Sequence, residues 1–125
     1  MAECLLDANI LIGVFRGEGE LKTFVEGLDS AIDTTVYIEL IQGAKNKREV
    51  ELIEKALGQF KVLHFNESVS RRSIDLIKAY SKSHGLLLGD SLVAATCLEN
   101  GLELITFNAK DFRFIEGLKI RVPKL

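Results

Sequence analysis

Short apolar runs that alternate with amphipathic, helix-length segments constrain the fold of this chain more than any other feature. The apolar runs lie at residues 3–6, 31–34, 61–64, 103–106 and 118–122. Between them, hydrophobic residues recur at helical spacing. Strands that alternate with helices pair in parallel, because each helix returns the chain to the same edge of the sheet. The sequence therefore predicts an α/β fold with a largely parallel, short-stranded sheet.

Helices are predicted in the segments between these strands. Their expected ranges are about 9–16, 21–28, 35–43, 50–57, 67–84 and 89–99. Asn66 or Ser68 is the expected cap of the longest helix, and Lys45, Lys47 and Arg48 are expected in a polar connector. Because no repeat, linker or low-complexity segment interrupts the 125 residues, we expect a single domain over residues 1–125.

Composition narrows the class of protein only in part. Hydrophobic residues make up 47% of the chain, which is enough for a buried core. The formal charge is −2, from 16 basic and 18 acidic residues, so a general basic surface for nucleic acid is not indicated. If one metal site takes several of the carboxylates, the remainder is slightly basic, and the charge does not exclude an RNA substrate.

The cysteines and the hydropathy pattern both bear on the cellular location of the protein. Cys4 and Cys97 lie in apolar segments and are expected to be small buried hydrophobic residues. Two cysteines without metal-type spacing fit a reducing compartment. No signal-peptide pattern is visible, and no apolar run approaches the ~18 residues of a transmembrane helix. We expect a cytoplasmic protein without a membrane segment.

Four acidic residues stand where an apolar segment ends or a helix begins: Asp7, Glu39, Asp90 and Asp111. A carboxylate beside a hydrophobic run costs free energy unless something compensates for it. Ligands of parallel α/β sheets bind beyond the carboxyl ends of the strands. Carboxylates clustered there hold Mg²⁺ or Mn²⁺, and these metals promote phosphodiester hydrolysis. The four acids therefore form a hypothetical shared cation site.

Each acid also has an ordinary structural interpretation. Asp7 can cap the helix that follows it, although Asn9 can cap the same helix. Glu39 lies one position too late for a capping box, and its neighbours are apolar. The helix dipole favours Asp90 in a first turn, and Asp111 can belong to a simple turn. His64 and His84, at a strand end and a helix end, are expected to be structural or exposed.

Taken in order, these residues resemble the PIN-domain family. An Asp ends the first strand, a Glu lies in an early helix, an Asp opens a later apolar helix, and T-x-N-x-x-D-F follows a strand. Length and order resemble the VapC-type ribonuclease toxins of toxin–antitoxin pairs, over residues 2–122. The resemblance implies a three-layer α/β/α sandwich and Mg²⁺- or Mn²⁺-dependent RNA hydrolysis at the four acids. Ala8 departs from the pattern, because the family usually has Thr or Ser there.

The resemblance also implies roles for neighbouring residues. Asn9 matches the family's D-[TS]-N start, and Thr106 and Asn108 match its T-x-N, so these three are expected to orient the carboxylates. Basic residues near the acids are expected to contact phosphates without reading sequence. They are Lys45, Lys47, Arg48, Lys110 and Arg113. A solvated surface explains these five equally well.

Two protein partners are implied, a small antitoxin and a second copy of the chain. An antitoxin segment is expected to lie in a groove between two apolar stripes. The stripes are Leu21, Phe24, Val25 and Leu28, and Val50, Ile53 and Leu57. Core packing explains both stripes as well.

Other classes of α/β protein fit the sequence less well. A receiver domain needs a second acid beside the first and an Asp at the end of a middle strand. Here strand two is expected to end in Thr34 and Thr35, so this Asp is not expected. A dehalogenase-type phosphatase needs D-x-D, and the chain has Asp7-Ala8-Asn9. Within the resembled family, a nuclease of RNA maturation and a non-catalytic binding module remain alternatives.

Overall fold

A five-stranded parallel sheet forms the centre of the computed structural model, which describes residues 2–125. The strands are β1 Cys4–Leu6, β2 Ser30–Asp33, β3 Lys61–Leu63, β4 Glu103–Ile105 and β5 Ile120–Arg121. Their order across the sheet is β3-β2-β1-β4-β5, and all neighbouring strands run parallel. The predicted α/β class with a parallel sheet is confirmed.

Six α-helices connect these strands. They are α1 Ala8–Phe15, α2 Gly19–Glu26, α3 Thr34–Gln42, α4 Lys47–Leu57, α5 Glu67–His84 and α6 Leu88–Asn100. The chain moves outward from β1 to β3 and then crosses back to β4, so right-handed crossovers place α1–α4 on one face and α5 and α6 on the other. Between residues 2 and 125, no helix has the length and hydropathy needed to cross a membrane.

The start of α4 differs from the prediction. Lys47 and Arg48 were expected in a connector, with the helix beginning near residue 50, but α4 begins at Lys47. Asn46 caps this earlier start, because its Oδ1 accepts a hydrogen bond from the Glu49 amide at 2.9 Å. Lys47 and Arg48 therefore lie in the first turn of a helix. The other predicted ends agree with the structure within about two residues, the usual uncertainty of element boundaries.

The core lies between the sheet and both layers of helices. Central strands β1 and β4 are covered on both sides, which explains why they are continuous apolar runs and not alternating ones. Cys4 and Cys97 are buried, as predicted. Burial raises the pKa of the Cys4 thiol to about 11 and also raises the pKa of Cys97. Both thiols are therefore protonated and unreactive at neutral pH.

The end of β2 corrects one of the arguments from sequence. Strand two was expected to end in Thr34 and Thr35, but its last residue is Asp33. The Asp33 carboxylate is fully buried, and its Oδ1 caps α3 by accepting the Val36 amide at 2.9 Å. The statement that no Asp ends this middle strand was therefore wrong, although the second acid that a receiver domain needs beside Asp7 is still missing.

Candidate active site

Asp7 ends β1 and is nearly buried, with 8% of its surface exposed. Its Oδ1 accepts the Ala8 amide at 2.9 Å and so caps α1. The capping role therefore belongs to Asp7, and Asn9, expected as an equally good cap, lies inside the first turn. Ala8 is buried and contributes this backbone amide, whereas a Thr or Ser would add a hydroxyl.

The other oxygen of Asp7 joins the ends of β1 and β4. Asp7 Oδ2 accepts hydrogen bonds from the Thr106 hydroxyl at 2.8 Å and from the Asn9 side-chain amide at 3.2 Å. Asn9 Oδ1 in turn accepts the Phe107 amide at 3.1 Å. Three residues thus hold one carboxylate in a single orientation, which is what a preorganised ligand requires.

Asn108 differs from the other two residues expected to orient carboxylates. Its backbone amide donates to Thr106 Oγ1 at 3.0 Å, which fixes the loop after β4. Its side chain is exposed and makes no hydrogen bond to any residue from 2 to 125. A direct role of the Asn108 side chain toward the acids therefore stays a prediction.

The remaining three acids come from three further segments. Glu39 lies in α3, Asp90 in the first turn of α6, and Asp111 in a 3₁₀ helix that follows β4, Ala109–Asp111. Asp90 and Asp111 are half-buried, but Glu39 is more exposed than its apolar neighbours suggested. A methyl group built on Gly89 would lie 3.8 Å from Glu39 Oε1, so α6 passes close to this carboxylate at the residue before Asp90.

The four acids act on one another electrostatically. Burial, followed by the charges of Asp7 and Asp111, raises the pKa of Asp90 to about 6. Burial also raises the pKa of Asp7 against the hydrogen bonds of Thr106, Ala8 and Asn9, with Asp111 adding to the rise. Partial burial, followed by the charges of Asp7 and Asp90, raises the pKa of Glu39. The four sequence-predicted acids therefore share one region of negative potential.

This donor set fits a hard divalent cation that retains much of its water. Carboxylate oxygens are the ligands that Mg²⁺ and Mn²⁺ prefer, and their mutual repulsion is relieved by a positive charge. Among residues 2–125, however, no three acidic, histidine or cysteine side chains are close enough to hold a metal ion together. Mg²⁺ needs only one or two direct carboxylates, and the remaining acids can act through water.

The family model described as the PIN domain matches residues 4–117 of this chain. The chain belongs to the PIN-domain family. Ribonuclease VapC10 of Mycobacterium tuberculosis is 32% identical to it over 120 residues, which cover 92% of this chain and 90% of that protein. The similarity thus extends over nearly the whole of both chains, and the predicted family resemblance is confirmed.

Solved structures agree with this assignment. A toxin–antitoxin complex from Klebsiella pneumoniae contains a chain that is 32% identical, with a TM-score of 0.79 and coverage of 98% of this chain and 97% of that one. VapBC2 from Rickettsia felis, bound to a promoter DNA fragment, is 21% identical, with a TM-score of 0.82 and coverage of 96% and 98%. The second similarity concerns the fold alone. The expected three-layer α/β/α sandwich is confirmed for this PIN domain.

The five basic residues that were predicted to contact phosphates form no ion pairs with residues 2–125. Lys45 is exposed just before α4, and Lys47 and Arg48 are exposed in its first turn. Lys110 and Arg113 are exposed on either side of Asp111. None of these five pairs with an acidic residue within the described part of the PIN domain. They are available to a polyanion, and a solvated surface explains their placement equally.

Both histidines are exposed. His64 is exposed, with its Nδ1 3.5 Å from Thr34 Oγ1. His84 is exposed at the end of α5 and stacks on Phe114 with ring centroids 4.3 Å apart. The expectation that the histidines are structural or exposed is confirmed.

A groove of about 660 Å³ lies between α1, α3 and α4, and Glu39 is one of the residues that line it. Its apolar lining includes Ile12, Phe15, Leu52 and Ile53. The two apolar stripes that were predicted to form an antitoxin groove contribute only Ile53 to this lining. Most of their other residues pack toward the core. Leu21, Val25 and Leu57 are buried in the core. Core packing, the alternative left open from sequence, therefore explains most of both stripes.

A second apolar surface lies on the other side of Glu39. We call it the leucine patch, and it consists of Ile38, Phe65, Leu87 and Leu88. Leu87 and Leu88 are the most exposed large hydrophobic residues of the described chain, at 71% and 70%. Asp90 borders the same surface. Exposed apolar residues grouped in this way mark an interaction surface.

Asp33 is the polar residue near the site that the sequence interpretation missed. Its second oxygen, Oδ2, lies 3.4 Å from the hydroxyl of Thr96 in α6. Burial raises the pKa of Asp33, and its hydrogen bond from the Val36 amide opposes that rise. One signal was available: Asp33 stands three residues before Val36 at the start of a helical pattern, which is the spacing of an N-cap.

Proposed function

We propose that this PIN domain is a metal-dependent endoribonuclease, which hydrolyses RNA phosphodiester bonds as the toxin of a type II toxin–antitoxin pair. The observation that supports it most is the convergence of Asp7, Glu39, Asp90 and Asp111 from four separate segments. The relative from Mycobacterium tuberculosis carries the name ribonuclease, which supports RNA as the substrate. The complex from Klebsiella pneumoniae supports an antitoxin partner.

Asp7, Glu39, Asp90 and Asp111 would hold Mg²⁺ or Mn²⁺, some of them through water. A bound ion of this kind supplies an acidified water and compensates the negative charge that develops on the phosphate. Asp7 is the best prepared of the four, because Thr106 and Asn9 fix its Oδ2 before any ion arrives. Asp90 is mostly ionised only above its pKa of about 6.

The basic residues would position the RNA backbone beside the acids. Lys45 lines the same groove as Glu39, and Lys110 and Arg113 flank Asp111. Contacts of this kind increase affinity in a salt-dependent way and do not select a sequence. We therefore expect the variant with Lys45, Lys110 and Arg113 replaced by Ala to bind RNA more weakly, with a smaller dependence on salt.

RNA cleavage with Mg²⁺ or Mn²⁺ tests the proposal. Asp7→Asn and Asp90→Asn are each expected to lower the rate by more than roughly 100-fold, since even partners of metal ligands cost about 10–100-fold. Asp75→Asn is the matched control, because Asp75 is exposed on α5 and distant in sequence from the four acids. If Asp7→Asn and Asp90→Asn cut as fast as the wild type, the metal site is wrong.

Calorimetry with Mn²⁺ separates the nuclease from a non-catalytic PIN-fold module. The nuclease binds Mn²⁺ and loses binding on Asp90→Asn, whereas a module that neither binds Mn²⁺ nor cuts RNA contradicts the proposal. A nuclease of RNA maturation would also bind and cut. An adjacent upstream reading frame for a small DNA-binding protein favours the toxin over that alternative.

The groove between α1, α3 and α4 is the proposed site for an amphipathic segment of the antitoxin. Ile12, Phe15 and Leu52 are 40%, 39% and 55% exposed there, so an apolar helix face can cover them. Since Glu39 lies at the same groove, an occupant also hinders access to the acids. Leu52→Glu is expected to abolish co-purification with the antitoxin while leaving RNA cleavage intact.

The protein is expected to act in the cytoplasm, where RNA and the antitoxin are made.

A homodimer is proposed, in which the leucine patches of two copies of the chain pack together. Sedimentation analysis of the wild type should show a dimer, and Leu87→Glu should shift it to a monomer. A wild-type monomer at micromolar concentration, or a Leu87→Glu dimer, contradicts this part of the proposal.

A further inference from the structure

Asp33 is the only fully buried acidic residue in the part of the chain that the structure describes, and it has no role in the proposed function. A carboxylate in such a place needs partners for its oxygens. Oδ1 accepts the Val36 amide at 2.9 Å, as an N-cap does. Oδ2 needs a second explanation, since capping takes only one oxygen.

The second oxygen reaches a different helix. Oδ2 lies 3.4 Å from the Thr96 hydroxyl of α6, and that hydroxyl also donates to the Leu92 carbonyl at 2.8 Å. A hydroxyl has one proton, so the contact is completed either by sharing it or by a proton on Asp33. In both cases the carboxyl group touches the N-terminus of α3 and the middle of α6 at the same time.

These two helices carry two of the four acids. Glu39 lies six residues after Asp33 in α3, and Asp90 lies six residues before Thr96 in α6. The helices also contact each other near the acids, where Thr35 Cγ2 would lie 3.7 Å from a methyl group at Gly89. A link at Asp33 therefore sets how far apart α3 and α6 hold their carboxylates.

We propose that Asp33 is a positioning residue, which joins the helix of Glu39 to the helix of Asp90 and so fixes the spacing of the two carboxylates. The Thr35 hydroxyl is buried in the same interface. It makes no hydrogen bond of good geometry between residues 2 and 125, although it lies close enough to Asp33 to lower the pKa of that carboxyl. The interface is thus polar and incompletely satisfied, and Asp33 is the group in it that bonds to both helices. The role toward the cation rests on the proposed function; the joining of the helices does not.

Substitutions at Asp33 separate capping from joining. Asp33→Ser keeps an N-cap oxygen but is too short to reach Thr96, whereas Asp33→Asn keeps the cap and can donate from its amide to Thr96 Oγ1. Thr96→Val removes the link from the other helix. Asn46→Ser is the matched control, because it exchanges one good cap for another in α4, which carries none of the four acids.

The full-length variants are compared by Mn²⁺ calorimetry and by thermal unfolding in EDTA. Asp33→Ser and Thr96→Val are each expected to weaken Mn²⁺ binding roughly 10-fold, the lower end for residues that orient ligands. The double variant is expected to bind no more weakly than either single one, and its Tm loss to be smaller than the two losses together. Asp33→Asn and Asn46→Ser should retain the Mn²⁺ affinity of the wild type within about 2-fold. This change is much smaller than the roughly 10-fold weakening expected for Asp33→Ser and Thr96→Val.

Other results overturn the proposal. If Asp33→Ser unfolds earlier but binds Mn²⁺ normally, Asp33 is only a cap. If Asp33→Asn binds as weakly as Asp33→Ser, Asp33 acts through its charge and not by joining helices. If the wild type binds no Mn²⁺, the proposed function fails. The link between the helices is still supported if, in EDTA, the double variant loses less Tm than the two single variants together. Additive losses refute the link itself.

Discussion

Replacing Asp90 by Asn should make the metal-free protein more stable at neutral pH. Asp90 is half-buried, and its carboxylate is repelled by Asp7 and Asp111. Its pKa rises from 3.8 in the unfolded chain to about 6 in the folded protein. At about 1.36 kcal/mol for each pH unit between these values, the ionised carboxylate opposes folding by at most about 3 kcal/mol.

Two effects reduce this maximum. Asp90 lies in the first turn of α6, where the helix dipole favours a carboxylate by about 0.3–1 kcal/mol. Partial exposure to solvent also screens the repulsion. We therefore expect Asp90→Asn to raise the free energy of unfolding by about 2 kcal/mol at pH 7.5, or the Tm by about 6–10 °C.

The dependence on pH identifies the cause. Because the folded pKa of Asp90 is raised, protonation stabilises the fold fully below pH ~4, and this contribution is lost as the pH rises through about 6. The advantage of the Asn variant should therefore be complete above pH 7, about half as large at pH 5, and absent near pH 3.5. Urea unfolding in EDTA at these pH values measures it, with Asp75→Asn as the control.

Saturating Mn²⁺ should reverse the order of the two proteins, because a ligand stabilises only the form that binds it. If Asp90→Asn is no more stable than the wild type at pH 7.5, the ionised Asp90 carboxylate does not oppose folding. A gain in stability that is the same at pH 7.5 and pH 3.5 also contradicts the prediction, since such a gain cannot come from the ionised carboxylate.

The remaining predictions concern packing, orientation and thiols. A methyl group at Gly13 would lie 2.6 Å from a core leucine side chain, so Gly13→Ala should cost about 1–3 kcal/mol in urea unfolding. A methyl group at Gly89 would have its nearest neighbouring atom 3.7 Å away. Gly89→Ala should therefore leave the free energy of unfolding unchanged or raise it by up to about 1 kcal/mol. Equal effects of Gly13→Ala and Gly89→Ala would contradict the packing around these two glycines. Thr106→Val removes the 2.8 Å hydrogen bond to a site carboxylate and should weaken Mn²⁺ binding by about 10–100-fold, as calorimetry would show. Cys4 and Cys97 should react with a thiol reagent at pH 8 only after denaturation, and fast labelling of the native protein would show that they are not buried as described.

The fold could be predicted from sequence, and the four candidate acids could be selected, because both follow from visible periodicity. Buried parallel strands are continuous apolar runs, and Asp7 and Asp90 stand directly at the ends of apolar segments. The role of Asp33 was not accessible in the same way. Thr34 and Thr35 after it are β-branched and suit a strand, so the true boundary depended on one side-chain hydrogen bond to Val36.

The groove shows a different limit of sequence analysis. Helical periodicity identifies the face that a helix buries, and it found Leu21, Val25 and Leu57 correctly as an apolar face. The groove is lined by apolar residues outside that periodicity, such as Phe15 and Leu52, which are exposed. Whether an off-stripe hydrophobic residue is isolated or part of a surface depends on which helices are neighbours in space, and spacing along the chain does not contain that information.

The central position of β1 determines when during synthesis the protein can become active. β1 pairs with β2 early in the chain, but its other neighbour is β4, and the hydrogen bond from Thr106 to Asp7 spans 99 positions. A nascent chain still lacking β4 already contains Asp7, Glu39 and Asp90, but it lacks Asp111 and the Thr106 hydroxyl. Only the Ala8 amide and the Asn9 side chain can then hold the Asp7 carboxylate. On the proposed function, activity therefore requires that β4 and Asp111 have been made, and products that end before β4 are expected to be inactive on RNA.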